Sequence, residues 1–226
     1  MRSRLVPCVL LLASLAGCAS PVSSPSSPSS PPPVSSSAAA SPSLGSPPLG
    51  SAEPAVTPTD YKVTFGFAVP SGVVSVPHPF TPPPLRTLVG VYAGDHPEGA
   101  PAYQRMSFYF RGGLPSYRAG YEDHVLSDGA GTPVALPGNT FLRVVFRDAQ
   151  AHTDAGSSSL VAAPAPSIGY QNLKGYASAG DFEGTVTYGL GLQSGSGPLP
   201  IRLGELKKSD GAGGFLYVVF VDVRTT

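Results

Sequence analysis

The sequence predicts an all-β domain, an antiparallel β-sandwich of about eight short strands with no substantial helix. Two observations support this fold class. Short runs of alternating apolar and polar residues recur at a spacing of about 10 to 20 residues, separated by turns rich in glycine and proline. No segment of the expected domain carries the apolar stripe of an amphipathic helix.

The first half of the expected domain contains four strand candidates. Residues 61–69 alternate and are rich in β-branched and aromatic types, which favours a strand. Prolines between residues 70 and 84 exclude a central strand there, because proline cannot donate to a strand ladder. Further candidates follow at residues 85–92, 105–111 and 116–125, the last with one polar, half-exposed face.

The next strand candidate, residues 141–147, predicts a sheet with one face in water. Its leucine, valine and phenylalanine at positions 142, 144 and 146 point inward, so Arg143 and Arg147 point outward. A short segment at residues 133–136 and a Pro-Gly-Asn turn precede this strand.

The second half begins with a small, polar, aperiodic stretch at residues 149–167, which predicts a long surface loop. Strand candidates follow at residues 168–178, 184–192, 200–206 and 215–223. The last is a nearly continuous apolar run, which is typical of a central strand covered on both faces. Gly189 and Gly191 share one face of their strand, so we expect a bulge or another strand close to that face.

Charge and cysteine content narrow the class of protein. The chain has 226 residues, with 14 basic and 14 acidic side chains, so it has no basic field and we expect no nucleic-acid partner. The two cysteines are Cys8 and Cys18, both ahead of the expected domain. That domain therefore has no disulfide and depends on packing for its stability.

The N-terminus has the pattern of an export signal. Arg2 and Arg4 are followed by an apolar run at residues 5–15 that is too short to be a permanent membrane span. Leu15-Ala16-Gly17-Cys18 resembles the lipobox of bacterial lipoproteins, which implies that Cys18 is acylated and becomes the first mature residue. The alternative is an ordinary secretory signal with a chance cysteine. We expect a protein anchored to the outer face of the cell membrane through the lipidated Cys18.

The stretch after Cys18 has the composition of a spacer. Up to residue 58 it is dominated by serine and proline, with Glu53 as its single charge and no aromatic residue. Such a segment lacks the apolar surface needed to offset the entropy of ordering. We therefore divide the chain into a signal peptide (1–17), the lipidated cysteine with a disordered tether (18–59), and one β-sandwich domain (60–226).

Six short motifs of the domain stand in a specific order: Gly94-Asp95-His96, Tyr103-Gln104-Arg105, Asp128-Gly129-Ala130-Gly131, Phe141-Leu142-Arg143-Val144, Asp181-Phe182-Glu183-Gly184 and Val219-Phe220-Val221-Asp222. In order and spacing they resemble the AMIN-like domain of actinobacterial lipoproteins, over about residues 85–224. The resemblance implies a compact β-sandwich related to the AMIN modules that direct cell-wall amidases to peptidoglycan, without catalytic residues of its own. The chain departs from the family pattern at Gln104, where the family usually has Asp, and in a longer Gly/Pro insertion after His96.

Catalytic and metal-binding motifs are not evident. The nucleophile elbow, the zinc-protease helix motif and the phosphate-binding loop are absent, and the four histidines stand apart. Asp181 and Glu183, two positions apart, would suit an inverting glycosidase, but acids flanking a turn are more often solvated or capping. We expect no catalytic residue, no metal and no cofactor.

The candidate ligand-binding residues are four arginines: Arg111, Arg118, Arg143 and Arg147. They would form a modest anion-binding strip, and the alternative is a solvated outer face. The expected function is a lipid-anchored, non-catalytic envelope binding or scaffolding module that recognises peptidoglycan or a wall-associated protein. The alternatives are a carrier of a hydrophobic ligand between the sheets and an unrecognised wall hydrolase.

Overall fold

The computed structural model describes residues 58–80 and 84–225. The expected signal peptide, Cys18 and nearly all of the expected tether lie outside the described residues. Within the described ranges, no helix has the length and apolar character that would let it span a membrane.

The described residues form eleven strands and no helix, arranged as two facing sheets. The strands are β1 Thr59–Ala68, β2 Val74–Val76, β3 Arg86–His96, β4 Tyr103–Arg111, β5 Ser116–Glu122, β6 Thr140–Arg147, β7 Ala149–Gln150, β8 Leu173–Phe182, β9 Thr185–Leu192, β10 Ile201–Ser209 and β11 Phe215–Arg224. Sheet A has the order β1-β10-β11-β4-β3-β7, and sheet B has the order β2-β5-β6-β9-β8. The expected all-β sandwich is therefore confirmed.

The extra strands, relative to the expected eight, are short and lie at sheet edges. β2 falls inside the proline-rich segment, where only an edge strand is tolerated. β7 has two residues and pairs in parallel with β3, whereas all other strand pairs are antiparallel. The expected strand at 168–178 begins later, at Leu173, because the backbone amides of Ile168 and Gly169 fold back to donate to the carbonyl of Lys174.

One apolar core fills the space between the sheets. Phe108 and Phe110 of β4 pack on Phe146 of β6, with ring centroids 4.9 and 5.0 Å apart, and Phe108 also packs on Tyr188 at 5.2 Å. β11 lies between β10 and β4 and is buried on both faces, as its continuous apolar run predicted. Aromatic rings at these separations leave no room for a ligand around Phe108 and Phe146.

Residues 59–80 connect the two sheets along one side of the sandwich, and we call them the N-terminal strap. β1 pairs with β10 at the edge of sheet A, and β2 pairs with β5 at the edge of sheet B. The hydroxyl groups of Thr64 and Tyr117 lie 2.8 Å apart, and Nε2 of His78 lies 2.8 Å from Oε1 of Glu205. These buried polar contacts hold the strap against both sheets.

The loop at residues 123–139, which we call the covering loop, packs on the outer face of sheet B. The backbone amide of Asp128 donates to the carbonyl of Ala179 at 2.7 Å, and the amide of Asn139 donates to Leu192 at 2.8 Å. A Cβ on Gly189 would lie 2.7 Å from Leu136 of this loop. The close approach expected at this glycine is confirmed, although the approaching segment is a loop.

Candidate functional site

The structure separates the four candidate arginines. Arg118 of β5 and both Arg143 and Arg147 of β6 share the outer face of sheet B, because their sequence neighbours on both strands point into the core. Arg111 lies on sheet A, where its guanidinium is 3.4 Å from the carboxylate of Asp210. The expectation of a single four-arginine strip is therefore wrong, since strands β4 and β5 are consecutive in sequence but belong to different sheets.

Arg143 is held by the covering loop and contributes little free charge. Its Nη2 donates to Oδ1 of Asp128 at 2.6 Å, and its Nη1 lies 3.6 Å from Glu122. Asp128 also accepts a hydrogen bond of 2.5 Å from the hydroxyl of Thr187. Arg143 therefore fastens the covering loop to sheet B, and its charge is neutralised by Asp128.

Arg118 and Arg147 differ from Arg143 because, within the described part of the chain, neither forms an ion pair. They line a concavity of about 370 Å³ together with Ser75, Pro77, Ser116, Tyr117 and Val145. Arg118 is half-buried and Arg147 is exposed. Two guanidinium groups without an ion-pair partner suit a carboxylate or another oxyanion.

Two further concavities continue this one along strands β5 and β6. A small one of about 130 Å³ shares Arg118 and Val145 with the first. A larger one of about 480 Å³ shares Glu122 with the second and lies at the strand ends, where Tyr121 and the segment at residues 197–198 complete it. We call this row of three concavities the outer groove. From Phe141 to Arg147 it follows β6 for about 20 Å, at about 3.3 Å per residue.

The far end of the outer groove is acidic and aromatic. Glu122 and Asp123 line it together with Tyr121, Asn139, Thr140 and Phe141. Burial raises the pKa of Tyr121, whose hydroxyl donates to the carbonyl of Leu199 at 2.7 Å. The side chain of Asn139 is fixed by two hydrogen bonds to the backbone of Ser194. The shape of this end is therefore set before any ligand binds.

Sequence reasoning missed a charged cluster on the outer face of sheet A. The fully buried Asp222 accepts from Arg105 at 2.6 and 3.0 Å and from Arg202 at 2.7 Å. The guanidinium of Arg202 also stacks on Phe67 and Tyr103, at 4.5 and 4.7 Å from the ring centroids. The break that Asp222 makes in its apolar run was the available signal. The role of Asp222 depends on Arg105 of β4 and Arg202 of β10, which are distant from it in sequence.

Gln104, where the chain departs from the family pattern, has an internal structural role. Its side-chain Oε1 accepts hydrogen bonds from the backbone amides of Asn172 and Leu173, at 2.9 and 2.8 Å. The side chain is 1% exposed. This corner of the sandwich therefore stabilises the turn before β8 and does not face solvent.

Asp181 and Glu183, the acidic pair considered in the sequence, have different surroundings in the structure. Asp181 accepts from the backbone amide of Ala151 at 3.1 Å and lies 2.7 Å from Nδ1 of His152, so it anchors the loop before β8. Glu183 is exposed in the following turn, with a positive φ of 48°. Within residues 58–80 and 84–225, no group of three or more histidine, cysteine or acidic side chains is placed to hold a metal ion.

The two-sheet fold and the outer groove together define a β-sandwich domain with a preformed, charged surface groove. The chain belongs to the AMIN-like domain family, whose model matches residues 86–224, more than half of the chain. The match covers β3 to β11 and leaves out the N-terminal strap, which supplies Val73, Ser75 and Pro77 to the groove wall. No curated protein and no solved structure gave a significant match.

Proposed function

We propose that the chain is a lipid-anchored binding module of the bacterial envelope that recognises peptidoglycan or a wall-associated protein and does not turn it over. The observation that carries this proposal is the unneutralised pair of Arg118 and Arg147 at one end of the outer groove. Peptidoglycan and many wall polymers carry carboxylates, which are good acceptors for guanidinium donors. Membership of the AMIN-like family supports a role at the wall.

The lipobox pattern supports the location of the module. Leu15-Ala16-Gly17-Cys18 follows a basic start and a short apolar run, and the serine- and proline-rich tether after it is long enough to clear the lipid headgroups. Acylation of Cys18 with two or three chains gives stable membrane anchoring, because each buried methylene contributes about 0.8 kcal/mol. The domain would then work at the outer face of the cell membrane, within reach of the wall.

A recognition role accounts better for the described contacts than a catalytic role does. Asp181 is bound to a loop amide and to His152, Arg143 is bound to Asp128, and Asp222 is enclosed by two guanidinium groups. These groups hold the fold together, and none of them forms an acid pair across the outer groove. The packed rings between the sheets argue against the carrier alternative, which needs an apolar cavity there.

Anchoring is tested by Cys18→Ser in the full chain. Because the thiol is the acceptor for the diacylglyceryl group, the variant should incorporate no fatty acid and accumulate as unprocessed precursor. Metabolic labelling with a fatty acid analogue measures this directly. Label retained by the Cys18→Ser variant would overturn the lipidation step while leaving wall binding open to its own test.

Wall binding is tested by co-sedimentation of the chain expressed from residue 18, with Cys18→Ser and without the signal peptide, with purified sacculi at low and moderate salt. We expect retention that weakens as salt rises, because exposed charge contacts are screened. Arg118→Gln/Arg147→Gln should lose most of the retention, and the matched control Arg111→Gln on sheet A should lose none. Soluble wall fragments released during the assay would overturn the non-catalytic part of the proposal. Retention that is independent of salt and of the double substitution would overturn the arginine site.

A further inference from the structure

The two ends of the outer groove carry opposite charge. Arg118 and Arg147 lie at one end, and Glu122 and Asp123 lie at the other. Between them, Arg143 is neutralised by Asp128 of the covering loop, at 2.6 Å, and its Nη1 also lies 3.6 Å from Glu122. Asp123 forms no ion pair among the described residues, so the far end of the groove keeps a negative charge. The groove is therefore bipolar, with a cationic end, a neutral middle and an anionic end.

The distance between the two ends corresponds to a short peptide. Arg118 and Glu122 lie on the same face of β5 about 13 Å apart, and the whole groove is about 20 Å long, at about 3.3 Å of rise per residue. An extended peptide advances by about 3.3–3.6 Å per residue, so about four to six residues would span these charges. In the neutral middle of the groove, the exposed side chain of Val73 lies over the buried Gly120 and offers apolar contact to the ligand.

We infer that the outer groove binds an extended zwitterionic peptide, with its carboxylates at Arg118 and Arg147 and a free amine at Glu122 and Asp123. This inference rests on the proposed wall-binding function and assigns the peptide stems of peptidoglycan, not the glycan strands, as the ligand. A peptide stem supplies both carboxylates and a side-chain amine, whereas an N-acetylated glycan strand supplies no cation for the acidic end. Phe141 beside the two carboxylates offers an apolar surface for the alkyl chain that carries the amine.

Neither end alone accounts for the architecture of the groove. A ligand that only needed anion recognition would leave Glu122 and Asp123 repelling its carboxylates, and like charges at a binding surface reduce affinity. A ligand that only needed cation recognition would meet the same difficulty at Arg118 and Arg147. Opposite poles therefore also fix the direction in which a peptide lies along β5 and β6.

The test is calorimetric titration of the chain expressed from residue 18 with Cys18→Ser. The ligand is a synthetic pentapeptide that bears a lysine side-chain amine and free carboxylates. Its Nε-acetylated and carboxyl-amidated forms serve as matched ligands. We expect each blocked form to bind about tenfold more weakly, which corresponds to about 1.4 kcal/mol. Glu122→Gln/Asp123→Asn should remove the penalty for acetylation only, and Arg118→Gln/Arg147→Gln should remove the penalty for amidation only. Arg111→Gln and Asp154→Asn, which lie outside the groove, should leave both penalties intact.

The outcomes separate this inference from the proposed function. Equal binding of the free and acetylated peptides would overturn the bipolar assignment, and so would equal retention on intact sacculi and on sacculi stripped of their peptide stems. In the second case wall binding would stand and the glycan strand would be the ligand. Discrimination between the peptides without any retention on sacculi would overturn the wall-binding function and support peptide recognition by the groove.

Discussion

The outer faces of the two sheets carry similar numbers of arginines and use them differently. On sheet A, the guanidinium groups of Arg105 and Arg202 both bind the buried carboxylate of Asp222, and aromatic rings cover them. On sheet B, Arg118 and Arg147 form no ion pair within the described residues and line an open groove. The neutralisation of an arginine, and not its presence on a strand, therefore distinguishes a structural face from a face that is available for binding.

The two faces are also covered in different ways. On sheet A, the ring of Phe220 lies over Gly204, where a Cβ would collide with it, and the ring of Tyr61 stacks on Phe220 at 5.3 Å. On sheet B, the covering loop packs over the β9 and β8 side and reaches β6 through the bond between Asp128 and Arg143, and Val73 of the N-terminal strap packs on Gly120 of β5. Side chains of sheet A therefore fill its outer face around Gly204, whereas on sheet B the outer groove lies beside the covering loop.

The largest expected effect tests the structural role of the sheet A cluster. In Asp222→Asn, two largely buried guanidinium groups lose their counter-charge, so the free energy of unfolding should fall by about 3–5 kcal/mol. Urea denaturation measures the loss. Asp154→Asn, an exposed loop acid, is the matched control and should change stability by less than about 0.5 kcal/mol. If Asp222→Asn lowers the free energy of unfolding by no more than the control does, the arginines of sheet A do not have the structural role that distinguishes them from those of sheet B.

A smaller effect is expected on sheet B, where Asp128 is partly exposed. Asp128→Asn weakens the charge-assisted bond to Arg143 and should lower the free energy of unfolding by about 1–2 kcal/mol. The covering loop should also open locally, so the amides of Asp128 and Val134 should exchange faster in hydrogen exchange, with core amides of β11 unchanged. Unchanged exchange at these amides would show that the glycine contacts alone hold the loop.

Much of the strand pattern followed from local sequence. The polar outer face of β5, the inward and outward phases of β6, the buried centre of β11 and the close approach over Gly189 all match the structure. The sequence also predicted that Arg143 and Arg147 share one outer face, and both line the outer groove. The acidic end was not anticipated, because Glu122 and Asp123 become part of one cleft only when the segment at Gly197 and Pro198 folds beside them.

Local sequence alone shows which residues lie on the same side of each strand, because side chains of an extended backbone alternate with a period of two. Which charges meet depends on how the strands and loops assemble. Asp222 finds Arg105 because β11 lies beside β4, although 117 positions separate them in sequence, and Arg143 meets Asp128 because the covering loop folds back onto its own sheet. Strand order and loop packing are non-local, so the division between neutralised and available arginines is a property of the assembled sandwich.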